Sequence, residues 1–323
     1  MTLTQLQIFV TIVETGSFTL ASERLGMTQS AVSHALADLE KELQVTLLLR
    51  ERTGPVLTEV GQRIVVLARE MLAAASAIQQ TAAATHDLAV GKLRVGSISS
   101  VSMRILPGMV RAFQRRYPGI EIVALEGTDQ EVREWIETRT VDLGVVTLPA
   151  EGVDVTPIAS DEFLVVLSAA HPLASKRSVS LEQLAKEPFI LSRAGCEPVL
   201  LALFREAKVA LCIQFEIREI PTILALIEEG IGISIVPEMA LPSPRSGLVL
   251  LHLRPIVRRQ LAFATLSLKT ASPAAIMFLQ QAQQWAQAQG LLPIPSSDDR
   301  DLTDQTTEHW RAQAPPCAEG QEA

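Results

Sequence analysis

Within the first 57 residues, apolar side chains recur at helical spacing in three short runs that single glycines interrupt, and this pattern leaves the chain few ways to fold. Leu6, Phe9, Val10 and Val13 share one helix face, and Gly16 stands where a left-handed C-cap is wanted. Ser17 or Thr19 can cap a second helix that runs to Leu25 and ends at Gly26. Thr28 caps a third, with Val32, Leu36, Leu39 and Leu43 on its inner face. Two short helices joined by a tight glycine turn make a helix-turn-helix. Leu47–Leu49 and Val56–Leu57, around the turn Thr53-Gly54-Pro55, predict a two-stranded wing.

From Thr58, an N-cap followed by Glu59, one helical pattern continues to about residue 86. Ile64, Leu67, Ala68, Met71, Ala75, Ile78 and Ala82 form a stripe at steps of three and four. A lone helix would expose that stripe, so pairing with a second copy is the expectation, with packing on its own chain as the alternative.

After Gly91 the pattern changes. Strand-like runs at 92–95, 120–125, 143–146, 164–167, 189–191, 233–236 and 261–264 alternate with helical stretches near 106–115, 130–138, 199–207, 222–229 and 273–288. That alternation predicts an α/β domain with a mainly parallel sheet. About 200 residues are generous for one sheet of this kind, so two lobes with a cleft are expected. The stretch 292–323 is polar and proline-rich without an apolar period, and it reads as a disordered tail.

Composition excludes more than it identifies. The three cysteines, Cys196, Cys212 and Cys317, form no CxxC pair, and the histidines do not cluster; neither a disulfide framework nor a metal site is expected. No nucleophile elbow or phosphate-cradling glycine loop is present, so neither an enzyme nor a cofactor is expected. There is no cationic start followed by an apolar stretch, and no apolar run spans a bilayer; a cytoplasmic protein without membrane contact is the expectation. A net charge of −8 lacks the usual basic footprint of a nucleic-acid binder. DNA affinity must come from a few placed groups.

The ordered motifs are more specific. Leu6-Gln-Ile-Phe9, Glu14-Thr-Gly-Ser-Phe18, Ala21-Ser-Glu-Arg-Leu25, Thr28-Gln-Ser-Ala-Val-Ser33, Leu39-Glu40 and Leu57-Thr-Glu-Val-Gly61 together resemble the LysR-type transcriptional regulators. The likeness continues through Gly91 to Gly96, Leu106-Pro107, Tyr117-Pro118, Val141 to Leu143, His171 to Ala174, Pro188 to Ile190 and Gly230 to Pro237. It covers about 1–290. Gln44 and Leu48 depart from it, standing where the family usually has Gly and Phe.

The resemblance implies a winged helix-turn-helix over 1–58, a linker (dimerisation) helix over 59–90 and a two-lobed, periplasmic-binding-protein-like α/β effector domain over 91–291. Lobe I would take about 91–160 and 267–291, and lobe II about 161–266. The implied partners are operator DNA, a small-molecule effector, and further copies in a homodimer or homotetramer. In such an element the third helix enters the major groove, where Gln29 can pair with adenine and Thr28, Ser30, Ser33 and His34 can reach bases or phosphates. Arg50 and Arg52 on the wing are the best phosphate contacts, with Arg24 a weaker one that a nearby Glu can occupy.

In the cleft, Ser99, Ser100 and Ser102 follow the first strand, and Thr128 and Thr147 follow the next two. Ser192, Arg193, Cys196 and Thr222 would come from the other lobe. Hydroxyls and helix ends suit a small carboxylate or other oxyanion, with Arg193 as the candidate counter-charge. The alternative is an oxidant sensor: Cys196 lies near where peroxide-sensing members of the family place their reactive thiol. Cys212 would then resolve the sulfenic acid, or else be a small core residue.

Overall fold

The computed structural model describes residues 1–84, 90–242, 247–292 and 300–301. Three helices, α1 (Leu3–Thr15), α2 (Phe18–Leu25) and α3 (Gln29–Leu43), open the chain. Ser17 and Thr28 accept N–H groups of the first turns and Gly16 and Gly26 take left-handed C-caps, as the sequence predicts, and Thr2, which the sequence reading does not name, caps α1 in the same way. Leu6, Phe9, Ile12, Val32, Leu36 and Leu39 meet in one buried cluster. The wing is the antiparallel pair β1 (Leu48–Glu51) and β2 (Gly54–Leu57), in register Leu48 to Leu57, so its turn falls at Arg52-Thr53. Helix α4 (Glu59–Ala84) follows, its first turn held by Thr58, which accepts the Gly61 N–H at 2.9 Å.

The larger part runs β3 (Gly91–Ile98), α5 (Ser99–Arg104), α6 (Leu106–Arg116), β4 (Ile120–Gly127), α7 (Asp129–Glu137), β5 (Leu143–Thr147) and β6 (Asp154–Ser168). It continues with β7 (Ser178–Ser180), α8 (Leu181–Leu184), β8 (Pro188–Ser192), α9 (Glu197–Glu206), β9 (Cys212–Ile217) and α10 (Ile220–Glu228). It closes with β10 (Ser234–Pro237), β11 (Leu248–Arg254), β12 (Val257–Thr265), α11 (Pro273–Ala288) and the two-residue β13 (Arg300–Asp301), which pairs with β12. The expected tail lies outside the described residues, apart from Leu292 and β13.

The sheet is mixed. β3 pairs in parallel with β4 and β5, and β8 with β9, but β12 runs antiparallel to β5 and β6, and β10 and β11 antiparallel to β6. The antiparallel members come from two long strands that serve both lobes. On β6, Ile158 and Ala159 join a first core with Val95, Phe113, Val132 and Phe278, while Phe163, Val165 and Leu167 join a second with Phe189, Leu200 and Phe204. The alternate residues Leu164 and Val166 meet Ile223, Ile227 and Val236 on the other face of that sheet. On β12, Val257 belongs to the second core, and Leu261, Phe263 and Ala264 to the first. The return to the first lobe thus falls inside β12, some residues earlier than the 266/267 boundary expected from sequence. Among the described residues, no helix is long and apolar enough to cross a membrane.

Candidate functional site: the cleft and the recognition helix

The two crossing strands set the cleft. Asp161 on β6 and Arg259 on β12 are direct cross-strand partners at the point where both strands change lobe. Both are buried, Arg259 to 2% exposure. Arg259 donates through Nε and Nη2 to Asp161 Oδ2 at 3.2 and 2.7 Å, through Nη2 to Ser100 Oγ at 2.7 Å, and through Nη1 to Cys196 Sγ at 3.3 Å. The Met239 N–H satisfies Asp161 Oδ1 at 3.1 Å. Burial pushes the Asp161 carboxyl above its ordinary value, and the adjacent guanidinium is the main force holding it back. Burial likewise opposes the charge on Arg259, but the Cys196 sulfur, Asp161 and Asp129 outweigh it. The pair stays locked across the strands.

Around it lies a cavity of about 30 Å³, lined by Ser99, Ser100, Asp129, Thr147, Ser192, Cys196 and Arg259 with apolar neighbours such as Ile98 and Ile220. The strand ends therefore bring five of the nine expected effector residues together: Ser99, Ser100, Thr147, Ser192 and Cys196. Thr128 stands at their edge, capping α7 with its hydroxyl. A Cβ added to Gly195 of the opposite lobe would sit 3.4 Å from the Thr128 Cβ and 3.1 Å from the Asp129 nitrogen, so the lobes approach closely there. Ser102, Arg193 and Thr222 do not line the cavity. Arg193 is half exposed, facing Glu216 at 3.6 Å and Glu197 at 4.0 Å. The cation in the cleft is Arg259 instead.

Two further differences from the sequence reading have local causes. Ser99 and Ser100, expected only to follow the first strand, begin the short helix α5 itself, and Ser100 is buried against Arg259. Asp129, at the start of α7, is a lining residue that the sequence reading passes over. It receives the Thr147 N–H and the Arg133 Nε–H, both at 2.5 Å, so its charge is engaged inside lobe I. Arg259 itself leaves a trace in sequence: on β12, Val257, Arg259 and Leu261 alternate onto the buried face.

At the other end of the molecule, the N-terminus of α3 is open. Thr28, Gln29, Ser30 and His34 are exposed and Ser33 half-buried, while Val32, Leu36 and Leu39 hold the helix from behind. Thr28 accepts the Ala31 N–H at 3.2 Å. Arg50 and Arg52 are exposed on the wing, and the Arg50 guanidinium sits 4.7 Å from the centre of the Phe18 ring, which fixes it beside α2. Arg24 is paired with Glu14 at 3.1 Å.

Both regions match known families over almost the whole described chain. Residues 3–62 match the family described as bacterial regulatory helix-turn-helix protein, lysR family, and residues 86–287 match the LysR substrate binding domain. The chain belongs to the LysR family of transcriptional regulators. Among its relatives is the uncharacterised helix-turn-helix regulator YvbU of Bacillus subtilis, 40% identical over 288 residues, which are 88% of this chain and 98% of that one. A full-length OxyR variant from Pseudomonas aeruginosa shares the fold with a TM-score of 0.69 at 25% identity, covering 88% of this chain and 98% of the other. Full-length CbnR, solved with its target DNA, has a TM-score of 0.60 at 21% identity over 88% of this chain and 99% of its own. This LysR-type protein is therefore a DNA-binding regulator controlled by a small molecule and working as an oligomer, with a winged helix-turn-helix and a two-lobed α/β effector domain.

Proposed function

We propose that the effector of this regulator binds between the lobes, against Ser99, Ser100, Thr128, Thr147, Ser192 and Cys196, and that the protein acts in the cytoplasm without catalysing a reaction. The observation that carries this reading is the buried Asp161–Arg259 pair beside a hydroxyl-lined cavity, placed on the two strands that join the lobes. A ligand there touches both lobes and can favour one arrangement of them over another, which is the requirement for control. DNA is read by Gln29 with Thr28, Ser30, Ser33 and His34, and held at its phosphates by Arg50 and Arg52. The working partition is 1–58 for DNA, 59–90 for dimerisation and 91–291 for the effector, with the second lobe crossing falling within β12.

Helix α7 supplies the link between the two activities. Its first residue, Asp129, lines the cavity, and the turn that ends it holds the linker helix. There Arg69 donates to the Thr138 carbonyl at 3.1 Å, and Arg139 donates to Glu70 at 2.7 Å. A nine-residue helix spans about 14 Å, so a rigid rod joins effector and linker.

Oxidant sensing at Cys196 is the weaker reading. Burial pushes this thiol up, with Arg259 opposing and Asp129, Asp161 and Glu197 adding to the rise. A reactive thiol needs a lowered value.

Ser99→Val and Thr147→Val test the cleft, since they remove lining hydroxyls while leaving the hydrogen bond between Arg259 and Ser100 in place. Both variants should fold and bind operator DNA, yet lose the ligand-induced rise in melting temperature and the change in DNA affinity. A full effector response in both would place the site elsewhere. Gln29→Ala should weaken operator binding by about 1–3 kcal/mol and random DNA hardly at all; equal losses on both would show that Gln29 reads no base.

A further inference from the structure

Arg259 has five N–H donors, and three of them are engaged by strong acceptors. Nε–H and one Nη2–H meet Asp161, and the other Nη2–H meets Ser100. Nη1 carries two more, and its contact among the described residues is the Cys196 sulfur, a weak acceptor. The Phe163 ring lies 5.9 Å from the guanidinium carbon, so one side of the group is backed by an aromatic face. What remains is an edge of a permanently charged fork, held rigid from behind and lining the cavity.

The charges around it favour one class of ligand. Asp161 offsets the Arg259 charge, Asp129 is paired with Arg133, and Glu197, which also acts on Cys196, accepts the Gly195 N–H at 2.9 Å and lies 4.0 Å from Arg193. From lobe II, α9 begins at Cys196 and α10 at Glu219, neither with a side chain capping its first turn, and Cys196 and Ile220 line the cavity. The start of α10 and that of α9, which carries Glu197 in its first turn, face the same space as Arg259. The cavity of about 30 Å³ has the room of about two waters in this arrangement of the lobes, so a ligand of few heavy atoms asks the least adjustment of them and a ring the most.

We propose that the Nη1 edge of Arg259 anchors the effector, and that the effector is a small planar monoanion: a short carboxylate or an inorganic oxyanion of the same shape. The proposal rests on the reading that the effector binds in the cleft, and adds its chemical class and its anchor. The anion accepts from Nη1 in place of the Cys196 sulfur, with Ser99, Thr147 and Ser192 hydroxyls around its rim. Arg259 is the one cation among the described residues that line the cavity, so a dianion brings a second charge that no lining group meets. Because Arg259 sits on the strand crossing, the anchor bears directly on how the lobes close.

The test uses the full chain at constant ionic strength, with formate, acetate and nitrate as probes and acetamide, benzoate and sulfate as controls. Acetate and acetamide have nearly the same shape and differ in charge. Formate, acetate or nitrate should raise the melting temperature saturably, and the three controls should not. Arg259→Lys keeps a cation for Asp161 but loses the planar fork, and should weaken acetate binding by about tenfold or more. Arg259→Gln with Asp161→Asn removes both charges together, avoids an orphaned carboxylate, and should abolish the response. Acetamide or benzoate acting as strongly as acetate would overturn the proposal, and so would equal acetate binding in both variants or a panel without effect. Hydrogen exchange over residues 97–100 and 192–196 separates the two levels. A metabolite fraction that protects these residues where the panel does not leaves the cleft reading standing and the anion class wrong. If neither the panel nor such a fraction protects them, both fall.

Discussion

Gln44 ends the recognition helix with φ 56°, in the left-handed region where L side chains are strained. Its own N–H is satisfied by Glu40 and Lys41, so the cap geometry is sound and only the residue type resists it. Gln44→Gly should therefore stabilise the N-terminal part by about 1 kcal/mol, with the strain relieved exceeding the flexibility added to the unfolded chain. Denaturant titration of the full chain, followed by its helical signal, reads this; an unchanged or lowered midpoint would count against it. Asp142 poses a different question. It accepts the Arg94 N–H at 2.7 Å beneath the contact between Arg94 and Glu14, and burial pushes its carboxyl up, more than Arg94 pulls it down. A value raised on folding contributes stability below the ordinary carboxylate range and loses it as pH rises through the folded value. Asp142→Asn does not titrate. The wild type should lose melting temperature relative to this variant as pH rises above about 4; parallel curves would show that Asp142 carries no such shift.

At the scale of elements, what is legible in sequence is what local chemistry decides. The three N-terminal helices show their caps and their apolar faces within eight to fifteen residues each, so their order and ends can be read directly. β6 cannot: its fifteen residues serve two cores in turn, and only Phe163 onward carries a continuous apolar run. Arg259 escapes the sequence reading for a related reason. Its neighbours Arg258 and Gln260 make the stretch look like solvated turn, and its burial follows from Asp161, ninety-eight residues away. Arg193, the cation expected in its place, has the right position in the chain but points among Glu197 and Glu216. Helix α7 carries the element-scale prediction. Arg69 on α4 is buried against the end of α7, its Nε lacks a partner among the described residues, and burial lowers its value below the ordinary one. Arg69→Met fills similar volume and removes the unmatched donor, but it also takes the bond from the Thr138 carbonyl, so stability should fall by no more than about 1–3 kcal/mol. The rod from cleft to linker then loses its grip, and the effector-dependent change in DNA affinity should shrink at unchanged effector binding. An undiminished response would show that coupling does not pass through this contact.

For the whole molecule, the linker helix divides its apolar stripe between two tasks. Ile64 and Ala68 pack into the helix-turn-helix core, as the alternative reading of the stripe allows, and Gln80 farther along accepts the Ala274 N–H at 3.1 Å, tying the helix to α11. Leu67, Met71 and Ile78 take part in neither contact, at 58, 44 and 70% exposure on a single chain. These three fall at steps of four and seven, one seam along about 16 Å of helix. Leaving such a seam in water forgoes roughly 1–2 kcal/mol per large side chain, the part of full burial that remains at these exposures, and a second α4 from another copy would offer the matching surface. The prediction is a dimer through this seam, in which two recognition helices reach two half-sites and the second contact forms at high effective concentration. Met71→Lys and Ile78→Asp place charges in the seam without touching Ile64, Ala68, Arg69 or Gln80. Each variant should fold with an unchanged melting temperature for its effector domain, run as a smaller species by light scattering, and lose operator affinity far more than its affinity for random DNA. If both variants keep the size and operator affinity of the wild type, copies of this chain meet through another surface, and the exposed stripe on α4 has some other use.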